Sequence, residues 1–250
     1  MKQLTTIICV CALSAAAQVT APRIGMATDS AGRLRPIAGI AGNFIPGDPI
    51  ASGVISAAAS DVAALAKTRS EIIVLEQGAA VRDRALEGPA LFAFAANGAP
   101  AFAWLPAGRE LLKWTGNNFA RVPLETAAIA GEIVGIGVSD RAHVNLAVSQ
   151  DDALQILRVG LSDGLIDVVT SLPHGAHAPL LMPDGSILYA LPDALVLRDS
   201  AGHERQIPFS GAVSAIALMS SRWALVSAGN GRRYAVRLAD GAAFQIPGVR

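Results

Sequence analysis

Apolar residues in this chain come in short runs broken by polar turns, and the runs are grouped in pairs. Stretches 71–75, 154–159, 195–198 and 234–238 each lead into a turn and then a second strand-like stretch. The recurring turns are Gln77-Gly78, Gly116-Asn117-Asn118, Asp163-Gly164, Asp199-Ser200-Ala201-Gly202 and Asp240-Gly241. Glycine and asparagine reach the positive φ that tight reversals need, so each unit predicts strand, hairpin, strand. Upstream of these hairpins lies another pair of runs. Stretches 213–219 and 223–227 flank Ser220-Ser221-Arg222, 178–182 and 186–191 flank Pro183-Asp184-Gly185, and 132–138 and 143–149 flank Ser139-Asp140-Arg141.

The longest repeated string is Asp29-Ser30-Ala31-Gly32-Arg33-Leu34-Arg35-Pro36-Ile37, which returns as Asp199-Ser200-Ala201-Gly202-His203-Glu204-Arg205-Gln206-Ile207. Turns at 29, 77, 117, 163, 199 and 240 are spaced by 48, 40, 46, 36 and 41 residues. Four short strands per repeat of roughly 40 residues is the blade period of a β-propeller. A β-sandwich also has short strands and frequent turns, but the return of one hairpin type at blade spacing favours the propeller. The predicted fold is all-β. Five full four-stranded blades fall at 52–88, 89–126, 127–172, 173–210 and 211–250, and a hairpin at 24–39 begins a partial sixth, giving a five- or six-bladed ring. The alanine-rich part of 54–86 is helix-like by propensity. Ile72-Ile73-Val74-Leu75 and the blade-sized length of the segment argue for strands instead.

Composition narrows the class. The chain has 250 residues, 52% hydrophobic and 16% charged, with 24 glycines and 14 prolines spread along it. It is too apolar to be disordered. Its formal net charge of zero argues against a nucleic-acid binder, which needs a cationic surplus. Met1-Lys2-Gln3 followed by an apolar run ending in Ala15-Ala16-Ala17 reads as a secretory leader, 1–17, too short to span a bilayer. Both cysteines, Cys9 and Cys11, lie inside it. The mature chain, 18–250, is then one cysteine-free domain, exported to the periplasm or beyond, without a membrane span and monomeric.

The strand, Asp-Ser-Ala-Gly turn and returning strand at 27–39 and 197–207 resemble blades of exported bacterial propellers of the NHL, YncE and SMP-30 kind. The resemblance implies a fold and a geometry for the binding face, not an activity. The blade signatures of WD40, kelch and quinoprotein repeats are missing.

Candidate chemistry is sparse. Gly160-Leu161-Ser162-Asp163-Gly164 matches a nucleophile-elbow string, but that motif requires a strand entering a helix, and strand-like Leu165-Ile166-Asp167-Val168-Val169 follows. His174-Gly175-Ala176-His177 places two imidazoles in a connection between blades. In a propeller that connection shares a rim with the turns between second and third strands, which here carry Arg69, Arg109, Asp151, Asp152, Asp193, Arg232 and Arg233. A divalent metal held by His174 and His177 needs carboxylates from other loops. Trp104, Trp114 and Trp223 read as core. His143 reads as half-buried, His203 as solvated, and Arg232-Arg233 as a solvated turn. Two functions follow. One is a non-catalytic module, without cofactor, whose loop-rich rim binds a protein, glycan or small molecule. The other, implied by the SMP-30 likeness, is a metal-dependent lactonase or esterase working at the channel mouth. The chain lacks a matching glutamate near the start of the first full blade.

Overall fold

The computed structural model describes residues 21–76, 78–124, 129–151 and 153–248; the predicted leader and Asp152 lie outside them. Six antiparallel sheets stand in a ring, each built from consecutive strands. The first blade has β1 (Arg23–Thr28), β2 (Leu34–Ile40) and β3 (Asn43–Pro46). The second has β4 (Ser56–Ala59), β5 (Ala63–Lys67), β6 (Glu71–Glu76) and β7 (Ala79–Arg84). The third has β8 (Leu91–Phe94), β9 (Ala101–Leu105), β10 (Glu110–Trp114) and β11 (Phe119–Val122). The fourth has β12 (Glu132–Val138), β13 (His143–Gln150), β14 (Ala153–Gly160) and β15 (Ile166–Leu172). The fifth has β16 (His177–Leu181), β17 (Ile187–Ala190), β18 (Ala194–Arg198) and β19 (Glu204–Pro208). The sixth has β20 (Val213–Ser220), β21 (Trp223–Ala228), β22 (Arg233–Arg237) and β23 (Ala243–Gln245). The chain is a six-bladed β-propeller, and the five complete blades fall inside the five predicted units.

Burial follows position within the blade. All five residues of β5 and all five of β9 are buried, as are the four of β17, because second strands are covered by neighbouring blades on both sides. The outermost strands are mostly exposed; β7 reads exposed at five of its six positions. The alanine-rich segment is strand for this reason. In β4 and β5 the small side chains let blades approach closely, and burial on two faces overrides helix propensity. Trp104, Trp114 and Trp223 are buried as predicted.

The core lies between blades, not within a single layer. Ala93, Phe102, Trp104 and Leu111 of the third blade pack on Ile133, Ile136, Val144 and Leu146 of the fourth. Leu154, Ile156 and Leu172 meet Ile187, Tyr189 and Val196 between the fourth and fifth. Ring closure has its own cluster, in which Ile24, Ala27, Ile37 and Phe44 of the first blade cover Met219, Trp223, Leu225 and Ala235 of the sixth. Phe44 and Trp223 meet edge to face at 5.7 Å, an arrangement worth about 0.5–1.5 kcal/mol beyond the area it buries.

The five strands β4, β8, β12, β16 and β20 surround the channel and run in one direction. The face where they begin is termed upper, and the face where they end lower. β1 runs the other way. Its end, Thr28–Asp29, stands beside the starts of β4 and β20, whereas its start, Arg23–Gly25, stands beside Ser60 and Ser220 at their ends. β1 therefore has the direction of a second strand, and β20 meets β4 directly at the channel. On the lower face Ser221 donates its backbone N–H to Asp61 at 3.1 Å, and its hydroxyl bonds the same carboxylate. Gly25, at φ 153°, lets β1 lie against β20; a Cβ there would come 2.9 Å from Met219 Cβ and collide with the Met219 carbonyl.

This direction corrects one sequence expectation. The Asp29 turn is not a blade-register copy of the Asp199 turn. It joins β1 to β2 on the upper face, whereas Asp199 joins β18 to β19, the third and fourth strands, on the lower face. What the two strings share is turn chemistry. Asp29 Oδ1 accepts from the N–H groups of Ala31 and Arg33, both at 3.0 Å, and Asp199 Oδ1 accepts from Ala201 at 2.9 Å and His203 at 2.8 Å.

Candidate functional site

Each face opens on the channel, and their side chains are committed differently. On the lower face five aspartates hold their own turns. Asp140, Asp163, Asp184, Asp199 and Asp240 each accept the N–H two residues on, at 2.7 to 3.1 Å. These are side-chain mimics of a backbone turn, and they fix loop shape. His143 and His203 join the same devices, with Nδ1 at 2.9 Å from Asp140 and 3.0 Å from Asp199. Ser162 sits in the turn between β14 and β15, strand to strand, so the elbow string has no helix to serve. The lower mouth is a pocket of about 450 Å³ lined by Phe94, Met182, Leu197, Leu218 and Leu238.

On the upper face the turns between second and third strands lie where the sequence placed them, and they do not converge. Arg69 pairs with Glu87 at 3.2 Å, but both are well exposed, so the pair contributes little. Its turn is mounted on Lys67, whose fully buried ammonium donates to the Thr68 and Arg69 carbonyls at 2.6 and 3.0 Å. Burial pushes the Lys67 pKa down, and Glu87 pulls it part of the way back. Arg109 takes the left-handed conformation, φ 48°, and its guanidinium reaches the Ile129 carbonyl at 3.2 Å, tying the third blade to the following connection. Asp151, also at positive φ, and Arg232 are exposed on their turns, as is Asp193.

His174 and His177 are exposed in the connection ahead of β16, with His177 Nδ1 at 3.1 Å from the Gly175 carbonyl. Among the described residues no group of three or more His, Cys, Asp or Glu is placed to hold a metal ion. The two imidazoles stand without a carboxylate partner set there.

The upper mouth itself is a cavity of about 510 Å³. Phe92, Ile136, Leu180 and Ile216 give it apolar walls, and Ala57, Ala215 and Ala217 keep it open. Of the six predicted rim residues that are described, only Arg233 lines it. The expected solvated Arg-Arg turn is thus split: Arg232 faces solvent, while Arg233 is half-buried as the first residue of β22. Among the described residues no hydrogen bond or ion pair engages the Arg233 guanidinium. Burial pushes its pKa down and the charge of Asp29 opposes this, yet a guanidinium stays protonated at neutral pH.

Asp29, 3% exposed, is the residue the sequence reading missed. Its carboxylate is saturated. It accepts Arg33 Nε at 2.7 Å and Arg35 Nε at 2.9 Å besides the two backbone N–H groups. Burial alone raises its pKa; the Arg33 N–H and the Arg35 and Arg33 guanidinium groups outweigh that and hold the carboxyl at about 2. Among the described residues, Asp29 and Arg233 are the charged side chains that line the mouth, and Arg33 and Arg35 hold Asp29 from beside it. Ile55 and Leu86, 51% and 46% exposed, sit in connections on the same face.

No family model matches the chain, and no curated protein matches it in sequence. Solved structures do match in shape. The WD40 β-propeller domain of Doa1 superposes with a TM-score of 0.53 at 13% identity, covering 82% of this chain and 86% of that one. Virginiamycin B lyase from Staphylococcus aureus gives 0.51 at 14% identity, covering 91% and 84%. PorZ, a bacterial surface component of the type-IX secretion system of Porphyromonas gingivalis, gives 0.51 at 12% identity, with 92% of this chain spanning 39% of that one. Such identities speak for architecture alone: this chain shares the β-propeller fold of proteins whose printed names span a WD40 domain, a lyase and a secretion component.

Proposed function

We propose that this protein is an exported, non-catalytic binding module whose working surface is the upper face of the propeller. The observation that carries the reading is the contrast between the faces. Lower-face aspartates are spent on their own turns and on the Asp61–Ser221 contact, whereas the upper face combines a cavity with apolar walls, the half-buried Arg233 and, on the turns around it, exposed Arg232 and Asp193. Surface that is apolar and charged without internal partners is what a ligand completes. Export rests on the apolar leader 1–17; among the described residues no helix is long and apolar enough to cross a membrane.

A photo-reactive amino acid placed at Arg232 on the upper face, and separately at Asn117 on the lower, tests the choice of face. Adducts formed in extracts from position 232 and not from 117 support it. Adducts from 117 alone, or from neither, contradict it. The hydrolase alternative rests on His174 and His177, and a metal titration decides it.

A further inference from the structure

We propose that the upper mouth of the channel binds a small carboxylate with an apolar body, and that Arg233 anchors the carboxylate. This deepens the reading of the upper face as the binding face and rests on it.

Three observations converge. The first is the cation. A guanidinium withdrawn from water loses hydration, and without an acceptor its five N–H donors go unpaired. Arg233 is half-buried at the cavity wall, and among the described residues nothing pairs with it. The charge of Asp29 acts on Arg233, but Arg33, Arg35 and two backbone N–H groups already occupy the Asp29 oxygens. Asp29 is thus bonded by two other guanidinium groups, and Arg233 feels its charge without a bond to it. A planar fork of donors suits a carboxylate, which it takes in a two-point contact.

The second is the wall. Phe92, Ile136, Leu180 and Ile216 offer aliphatic and aromatic surface, and Pro179 continues it. A cavity of about 510 Å³ falls within the range of pockets that enclose small organic molecules. The third is the ionic content of the lining. Five hydroxyl side chains reach the mouth, Thr28, Ser30, Ser56, Ser214 and Ser227, of which Ser56 accepts the Ala90 N–H at 2.9 Å and Ser214 donates to the Ser227 carbonyl at 3.0 Å, but among the described residues Arg233 is the one cation that lines it. A carboxylate head against Arg233 and an apolar body against the walls match this lining.

The test uses octanoate on the full chain, with octanol and octyltrimethylammonium as controls, read by calorimetry and by the melting temperature. Octanoate should bind and raise the melting temperature, and neither control should match it. Arg233→Met should weaken octanoate by at least about tenfold, with Arg233→Lys retaining part of the affinity. Equal binding of octanol, or octanoate binding unchanged in Arg233→Met, overturns the proposal. If Arg233→Met does not fold, Ala215→Trp fills the mouth from an exposed position: lost octanoate binding supports the site, and unchanged binding overturns it. If no octanoate binds while position 232 still forms photo-adducts, this inference fails and the binding face stands. If both fail, so does the face.

Discussion

Asp29 and Asp199 hold the same turn on opposite faces of one ring. In both, the side-chain oxygen accepts the N–H groups two and four residues on. In both, the backbone closes alike, with Asp29 N to Arg33 O and Asp199 N to His203 O each at 2.9 Å. They differ in surroundings. Asp29 is buried against two arginines at the channel mouth, while the Asp199 side chain is half exposed beside His203. A local sequence string specifies a local reversal; the neighbouring blades decide whether it becomes a structural turn or part of a site.

That burial predicts an acid-sensitive contribution. The folded-state pKa of Asp29, about 2, lies below the 3.8 of an ordinary aspartate. Its stabilisation is therefore complete above about pH 5, where the carboxyl is ionised whether folded or unfolded, and falls away as pH drops from about 5 toward 2. Asp29→Asn should lower stability at pH 7 by about 2 kcal/mol. It should also flatten the difference between wild type and variant over that window, measured by urea denaturation at stepped pH. A constant difference from pH 7 to pH 2 would show that the charge of Asp29 is not what the site uses.

Gly25 reports on how the ring closes. Its backbone takes positive φ and lies against the Met219 carbonyl, so a methyl group has no room. Gly25→Ala should cost about 2–3 kcal/mol through strain and displacement of β1 from β20. For a domain of this size that lowers the melting temperature by roughly 5–10 °C. Gly53, with open space around its Cβ position, serves as the control, because alanine there meets only the φ penalty. Equal losses at both positions would mean that β1 does not pack on β20 as described.

The histidine pair predicts a null result with a clear opposite. Two exposed imidazoles with no third ligand beside them among the described residues bind a divalent ion weakly. Equimolar zinc should leave the melting temperature unchanged in wild type and in His174→Ala, His177→Ala alike. A zinc-dependent rise that disappears in the double variant would revive the metal-dependent hydrolase.

Much of the architecture was legible in the chain because each blade is a local object. Hairpin turns such as Asp163-Gly164 and Asp240-Gly241 mark third-to-fourth strand reversals, and the paired runs around Pro183-Asp184-Gly185 mark first-to-second ones. Both signals depend only on neighbours in sequence. The direction of β1 was not legible, since Asp29 and Asp199 turns look alike and only contacts with β4 and β20, remote in sequence, distinguish them. The site was half legible. Arg233 was on the predicted rim, but its separation from Arg232 comes from strand alternation at the start of β22, which sends one side chain outward and the next toward the mouth. Asp29 was missed as a site residue because an aspartate opening a turn gives no sign of burial. Arg109 read as a rim residue, and the Ile129 carbonyl that it ties is visible only in three dimensions.

Every functional statement depends on a closed ring in which the second and sixth blades meet across the lower face. Asp61 and Ser221, 160 residues apart in sequence, are hydrogen-bonded there. With Cys9 and Cys11 replaced by serine, the pair Asp61→Cys and Ser221→Cys should be joined by a short bis-maleimide within one molecule. The product should be a monomer with the mass of a single bridging reagent and faster migration under denaturing conditions. Only singly capped thiols, or cross-linked dimers, would contradict the closed propeller and the binding face built on it.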